Sequence, residues 1–177
     1  VTLHIEATEN STGDQTDADF VITIGDLNDN PLSVVSDADA GPDFVAENSP
    51  VDTAVNVTGL ATDADGTASM QYSLAANPGG FFKIDPISGA VTTTATPLDY
   101  ESATTASITI RATETTHGDT ADLVVVVNVG DVNDLAPVFT SSAVPVVVEN
   151  TTAVVTATTT DVDTVGPAHT YTVSGGL

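Results

Sequence analysis

The stretch "DVNDLAP", residues 131–137, places the acceptor side chains of Asp131, Asn133 and Asp134 within four positions and then ends at a proline. The same pattern occurs once before, as "DLNDNP" at 26–31. Carboxylate and amide oxygens are the ligands that calcium prefers, and it takes about six to eight of them. Proline keeps the chain extended and has no N–H to compete for an oxygen. Both stretches are therefore predicted to be ligand strips for a cation.

The segments around these strips have the composition of β-strands. About a third of the 177 residues are Val, Ile or Thr, whose β-branched side chains suit strands, and no stretch shows sustained helical periodicity. This predicts an all-β protein with a seven-stranded, immunoglobulin-like Greek-key β-sandwich. The predicted strands lie near residues 44–47, 52–60, 68–75, 81–85, 90–95, 106–113 and 121–130.

Two of these strands are predicted to form a hairpin. In "FKIDPISGAVT" (82–92), Asp85, Pro86 and Gly89 supply turn chemistry between alternating segments. In "SITIRAT" (107–113), apolar residues alternate with polar ones, so one face of that strand is expected to be buried.

The sequence contains an internal repeat. Residues 108–134 align with 3–29, residues 45–65 align with 147–163, and residues 70–80 resemble 169–176. This predicts a complete repeat at residues 32–137, the C-terminal part of a preceding repeat at 1–31 and the N-terminal part of a following repeat at 138–177. Residues 82–105 have no counterpart at either end, so the chain is interpreted as a window on a longer tandem array.

Charge excludes several classes of function. The chain has 25 acidic residues against two basic ones and a formal charge of −23, so neither nucleic acid nor direct contact with an anionic membrane is expected. The absence of Cys excludes disulfides, thiolate metal sites and Cys nucleophiles. His4, His117 and His169 lie far apart without metal-ligand spacing and are expected to be incidental. A glycosidase acid pair requires aromatic sugar platforms, and Trp is absent, so no enzyme is predicted.

Five short motifs occur in a fixed order, "AEN", "TDAD", "LDYE", "RATE" and "DVNDLAP", and most of them occur twice. In this order they resemble the cadherin repeat, and the resemblance extends over nearly the whole chain. The Ala-, Thr- and Val-rich style resembles the cadherin-like repeats of very large bacterial surface adhesins. The fold implied is a series of tandem cadherin-like β-sandwiches.

The resemblance implies that Ca2+ binds between consecutive repeats. At the second junction the implied ligands are the side chains of Glu47, Asp99, Glu101, Asp131, Asn133, Asp134, Asp161 and Asp163, with the backbone carbonyls of Val132 and Leu135. At the first junction they are Asp26, Asn28, Asp29, the Asn30 carbonyl, Asp63, Asp65 and Glu114. Glu9 and Glu149 are implied for neighbouring, incomplete junctions.

The distribution of acids supports a metal independently of the family. The second junction gathers seven carboxylates, and 14 of the chain's 25 acids fall at motif positions. Two like charges about 5 Å apart repel by roughly 3 kcal/mol at an effective dielectric near 20. General surface acidity would not concentrate them in this way. Glu9 and Glu114 stand where the family prefers Asp. Asp37 and Asp39 lie outside the motifs and are expected to lie in a plain loop.

The sequence therefore predicts a calcium-binding structural segment of a bacterial extracellular adhesin, secreted or anchored at the outer membrane. Ca2+ would stiffen the junctions for cell adhesion or biofilm attachment, with neighbouring repeats of the same chain as the partners. Two alternatives remain open. The repeats could bind each other, in homophilic adhesion or filaments, or bind a polysaccharide; or they could be an accessory module of a secreted enzyme.

Overall fold

The structure is a computed structural model that describes residues 1–25, 27–65, 69–166 and 168–175. Within these ranges the regular structure is almost entirely β, and the only helical element is a single 3-10 turn at Pro78–Gly80. No helix in these ranges is long and apolar enough to cross a membrane. The strands are β1 Thr2–Thr8, β2 Gln15–Val21, β3 Ser36–Asp37, β4 Phe44–Ala46, β5 Ala54–Leu60, β6 Met70–Ala76, β7 Phe82–Ile84, β8 Ala90–Thr93, β9 Thr105–Glu114, β10 Thr120–Gly130, β11 Val138–Phe139 and β12 Thr159–Thr160.

Strands β3 to β10 form two four-stranded sheets. One has the order β4-β10-β9-β6 and the other the order β3-β5-β8-β7. Every pairing in them is antiparallel except that of β4 with β10, which is parallel. The chain changes sheet after β3, β4, β5, β6 and β8, as in a Greek-key sandwich. The predicted all-β sandwich is confirmed.

The core is built from the inward faces of both sheets, because alternate side chains of a strand point to opposite faces. On β9, Ile108, Ile110 and Ala112 are 1%, 0% and 0% exposed, which confirms the predicted buried face. The facing sheet supplies Val55, Val57 and Val91, among other small apolar residues. The buried core consists of Val35, Val45, Val55, Val57, Ala61, Tyr72, Phe82, Val91, Leu98, Ile108, Ile110, Ala112, Val125, Val127 and Val129.

All seven predicted strands are present, and each end lies within two residues of its predicted position. The predicted start of the third strand, residue 68, lies outside the described residues. The hairpin of β7 and β8 is confirmed: Oδ1 of Asp85 accepts hydrogen bonds from the N–H groups of Ile87 (3.0 Å) and Ser88 (2.7 Å). Gly89 closes the turn at φ +74°, where an added Cβ would lie 2.3 Å from the carbonyl oxygen of Gly59.

Within residues 32–137, one strand was not predicted. The plain loop expected around Asp37 and Asp39 is wrong for Ser36–Asp37, which forms β3 and pairs with β5. Oδ1 of Asp37 accepts the N–H groups of Asp39 (3.1 Å) and Thr58 (3.0 Å). Burial and the nearby carboxylates of Asp37 and Asp39 raise the pKa of Asp43. These side-chain hydrogen bonds hold the segment to the sheet. The strand propensity of two residues alone could not predict this contact.

The hairpin of β1 and β2 reproduces the register of β9 and β10. Leu3 pairs with Phe20 as Ile108 pairs with Val125, each 105 residues later. The hairpin's apolar side chains are nevertheless about half exposed, with Leu3 at 47%, and the described residues of 1–31 and 138–175 add nothing to the buried core. The assignment of these end segments to partial repeats remains a prediction.

Candidate metal centre

The pairing of β4 with β10 brings two acidic segments together. Because the strands are parallel and Ala46 pairs with Gly130, the chain leaves both strands at the same end of the sheet. The N–H of Glu47 donates to the carbonyl of Gly130 at 2.9 Å, and Asp131 follows directly. The turn that holds Asp99 and Glu101, just before β9, lies against the same end of the sheet.

Glu47 anchors this cluster from inside the protein. It is only 2% exposed, and its two carboxylate oxygens accept the N–H groups of Tyr100 and Val132, both at 2.8 Å. Its carboxylate therefore ties the turn before β9 to the strip after β10. Glu47, which the sequence motif assigns as a ligand, therefore also holds three segments of the chain together.

The acids form two groups that share Glu101. One oxygen each from Glu47, Glu101 and Asp131 lie within 4.8 Å of one another, and so do oxygens of Glu101, Asp134 and Asp163. We name these five residues the junction cluster. Asp163 belongs to the following segment, so the cluster joins residues before and after the strip.

The following segment is held to the strip by hydrogen bonds. Oδ2 of Asp163 accepts the N–H of Leu135 at 3.0 Å, and Nδ2 of Asn133 donates to the carbonyl of Val165 at 3.0 Å. Both the N–H and the hydroxyl of Thr164 donate to Oδ2 of Asp131. Asp161 lies beside Asp163, whose N–H it accepts at 3.3 Å.

The electrostatic cost of gathering these carboxylates is reflected in the pKa of Glu101. Burial, together with the carboxylates of Glu47, Asp163 and Asp131, raises the pKa of Glu101. In contrast, the hydroxyl of Ser102, 2.7 Å from Oδ2 of Asp99, helps to lower the pKa of Asp99. Asp99 is outside the two close groups.

Two oxygens of the cluster are buried without any donor, Oδ1 of Asp131 and Oδ1 of Asp163. Buried carboxylate oxygens normally accept hydrogen bonds, so each unsatisfied one needs an explanation. A hard cation that takes oxygen ligands would supply the missing partner. The donor set, all carboxylate with nearby amide and carbonyl oxygens, fits calcium and does not fit a soft metal.

The first junction is described in part, because Asp26 lies outside the described residues. Asn30 contacts Asp65 twice, from its N–H to Oδ2 (3.2 Å) and from Nδ2 to Oδ1 (2.7 Å). Nδ2 of Asn30 also lies 3.0 Å from Oδ1 of Asp29, and Asn28 donates to Asp119 at 3.2 Å. Oδ2 of Asp63 is buried without a donor. This junction repeats the contact from the end of the strip to the second acid of the next motif, but its described acids do not form a close group of three.

Glu114, predicted as a ligand of the first junction, also closes the turn between β9 and β10. It is 1% exposed, and its oxygens accept the N–H groups of Thr116 (2.9 Å) and His117 (2.6 Å). Burial opposes ionisation, but these bonds and the His117 ring hold the pKa of Glu114 below its usual value.

Glu9 makes the equivalent turn contacts to the hydroxyls of Ser11 and Thr12, both at 2.7 Å. These two bonds lower the pKa of Glu9. Glu149 is exposed. Neither residue joins an acidic group among the described residues, so their assignment to neighbouring junctions remains a prediction.

The three histidines, which the sequence predicts to be incidental, each lie close to a carboxylate, and that expectation remains a prediction. Nδ1 of His4 lies 2.6 Å from Asp19, His117 lies 3.3 Å from Glu114, and His169 lies 3.3 Å from Asp161. Each pairs with a carboxylate brought close by folding, which spacing along the chain could not show.

Sequence reasoning also missed two polar residues at the second junction. Thr164 contacts Asp131, as described above, and Nδ2 of Asn48 donates to Oδ2 of Asp134 at 2.6 Å. Asn48 is part of the "AEN" motif, but only its Glu had been assigned a role. No signal in the sequence marks Thr164.

The geometry defines a β-sandwich with a calcium-type cluster of oxygens at the end of its sheet. Residues 44–130 match the family model described as the cadherin domain. The chain therefore belongs to the cadherin domain family through these residues, and the resemblance seen in its motifs is confirmed.

Related sequences and solved structures support the same family assignment. The chain is 32% identical over 152 residues to protocadherin Fat 1 of Homo sapiens, covering 83% of this chain and 3% of that protein. It is 35% identical over 131 residues to cadherin-20 of Xenopus laevis, covering 67% and 16%. The structure of mouse cadherin-23 EC22-24 matches 92% of this chain and 53% of its own length, with 28% identity and a TM-score of 0.64. The chain thus spans only a small part of the length of protocadherin Fat 1 and of cadherin-20.

Proposed function

We propose that the junction cluster binds calcium and that residues 32–137 are one complete repeat of a tandem array, flanked by parts of two others. One observation carries this proposal. Two acidic groups share Glu101 within 4.8 Å, and two of their oxygens, on Asp131 and Asp163, are buried without a donor. Bound calcium would neutralise the carboxylates and satisfy these oxygens.

The protein's own residues would do the remaining work. Glu47 keeps the strip fixed to the end of the sheet, Asp131 and Asp134 present oxygens from the strip, and Asp161 and Asp163 present them from the next segment. Asp99, Asn133 and the carbonyls of Val132 and Leu135 are proposed to complete the set. Asn28, Asp29, the Asn30 carbonyl, Asp63, Asp65 and Glu114 are proposed for the first junction, together with Asp26. Calcium affinity of about 10⁻⁴ to 10⁻³ M is expected for extracellular modules of this kind.

The proposed role is mechanical. Calcium at successive junctions would hold the repeats as a stiff spacer, and chelation would increase the flexing of the charged linkers. We propose that the parent protein is extracellular, at the cell surface, and without enzymatic activity in this segment. The Ala-, Thr- and Val-rich composition supports a bacterial adhesin used in cell or biofilm attachment.

The test is a calcium titration of the 177-residue chain by calorimetry, with small-angle scattering in calcium and in chelator. Asp131→Asn should abolish or greatly weaken binding at the second junction. Asp122→Asn is the matched control, because Asp122 lies outside the cluster and pairs with Arg111 at 2.7 Å. Equal effects of the two variants, or no binding by the wild type, would show that the acids serve only as surface charge.

A second candidate function is association between copies of the chain. Phe44, Val124 and Val126 are 45%, 66% and 51% exposed, and they lie on the outer face of the sheet that contains β4 and β10. Analytical ultracentrifugation with and without calcium tests this function. Replacing Val124 and Val126 by Ser should abolish any association through this face.

A further inference from the structure

Asn48 contacts the junction cluster without being one of its acids. Its Nδ2 lies 2.6 Å from Oδ2 of Asp134. A carboxylate can only accept at this distance, so the Asn48 side chain must present its NH2 group. Among the described residues, Asp134 has no second hydrogen bond to its side chain. The direction of this exposed carboxylate therefore depends on Asn48.

The backbone of Asn48 explains why an Asn stands there. Its φ is +54°, in the left-handed region, which Asn and Gly tolerate best. Asn150, in the second copy of the motif, has φ +65°. The motif therefore turns the chain in the same way twice.

Asn48 also joins the segments that present acids. Glu47, the residue before it, is buried in the cluster, and the N–H of Asn48 lies 3.4 Å from the carbonyl of Leu98, next to Asp99. Its amide then reaches Asp134 on the strip. A neutral donor at this point can orient a carboxylate without adding a further negative charge to the cluster.

We infer that Asn48 is a positioning residue, whose side-chain amide holds Asp134 in the orientation in which it shares a cation with Glu101 and Asp163. This rests on the proposed calcium function. Groups that hydrogen-bond to metal ligands typically contribute about 10- to 100-fold to metal affinity. Asn48 itself is not proposed as a ligand.

The test is Asn48→Gly, which keeps the left-handed backbone and removes only the amide side chain. Calorimetry of the 177-residue chain should show calcium affinity at the second junction reduced by about tenfold. The thermal unfolding midpoint in chelator should change no more than it does in Asn150→Gly, which a merely structural role would not allow. Asn150→Gly, at the equivalent motif position outside this junction, should leave that affinity unchanged.

A second readout needs no calcium. In chelator, the Nδ2 protons of Asn48 should exchange with solvent more slowly than those of Asn150, measured by NMR. Wild-type affinity in Asn48→Gly, equal effects of both variants, or equal exchange would overturn the positioning role while leaving calcium binding intact. Absence of calcium binding by the wild type would instead overturn the proposed function and the positioning role with it.

Discussion

Leu135 and Asp163 are joined by a hydrogen bond from the backbone N–H of Leu135 to Oδ2 of Asp163, at 3.0 Å. The N–H of Asn30, 105 positions earlier, makes the same bond to Oδ2 of Asp65 at 3.2 Å. The two junctions thus use one contact between the end of the strip and the second acid of the next motif. This contact consists of protein groups alone.

The first prediction is that this contact persists without calcium. In chelator, the amides of Leu135 and Asn30 should be protected from hydrogen exchange about tenfold more than those of Asp134 and Asp29, the equivalent of one net hydrogen bond. NMR exchange on the whole chain measures this. Equal protection of all four amides would show that the contact forms only in the presence of metal.

The second prediction concerns Glu101→Gln. Because burial and the neighbouring carboxylates raise the pKa of Glu101, its charge destabilises the metal-free protein as pH rises through the folded pKa. The variant should therefore be more stable than the wild type in chelator at neutral pH, and the gain should vanish at low pH, where Glu101 is protonated. Its calcium affinity should fall by about tenfold or more, since affinity follows the ligand charge count. Denaturant unfolding and calorimetry measure the two effects, and a loss of both stability and affinity would contradict this account.

The third prediction concerns the turn closed by Glu114. The pKa of Glu114 is held below its usual value, so its stabilising effect is present above the unfolded pKa and is lost as pH falls through the folded pKa. Glu114→Gln should destabilise the protein at neutral pH. The difference from wild type should shrink towards acid pH. Urea unfolding in chelator at several pH values measures it, and a difference that is constant with pH would refute the role of the charge.

The fourth prediction tests the core. Ile110 is fully buried and Val124 is 66% exposed, although both lie on neighbouring strands of one sheet. Ile110→Ala should lower the free energy of unfolding by about 2–5 kcal/mol, because it removes buried contacts and leaves a cavity. Val124→Ala should change it by less than about 0.5 kcal/mol. Similar losses in denaturant unfolding would mean that the outer face is packed in solution.

Much of the fold could be predicted because alternation and turn residues are local signals. Ile108, Ile110 and Ala112 on alternate positions indicated their buried face, and Asp85 with Gly89 indicated the hairpin turn. Strand β3 could not be predicted in this way. Its two residues are held by the side chain of Asp37, which bonds to Thr58 far along the chain.

The same limit applies to the candidate site. The acids of the motifs could be named from their order, and Glu47, Glu101 and Asp131 do meet. The residues that orient them could not, since Thr164 and Asn48 reach Asp131 and Asp134 only through the folded arrangement. Sequence spacing identifies charged groups, whereas their neutral hydrogen-bond donors depend on three-dimensional contact.

The parallel pairing of β4 with β10 has a consequence for force. Strand β4 is the first strand of its sheet along the chain and β10 is the last, and the start of β4 lies at the opposite end of the sheet from the end of β10. Tension between neighbouring repeats would pull these strands past each other. Bonds such as those from Asn128 to Asp43 (2.8 Å) and from Glu47 to Gly130 (2.9 Å) would be loaded side by side and would have to break together. In the tandem array proposed above, the pairing that assembles the acidic cluster would thus also resist shear under load.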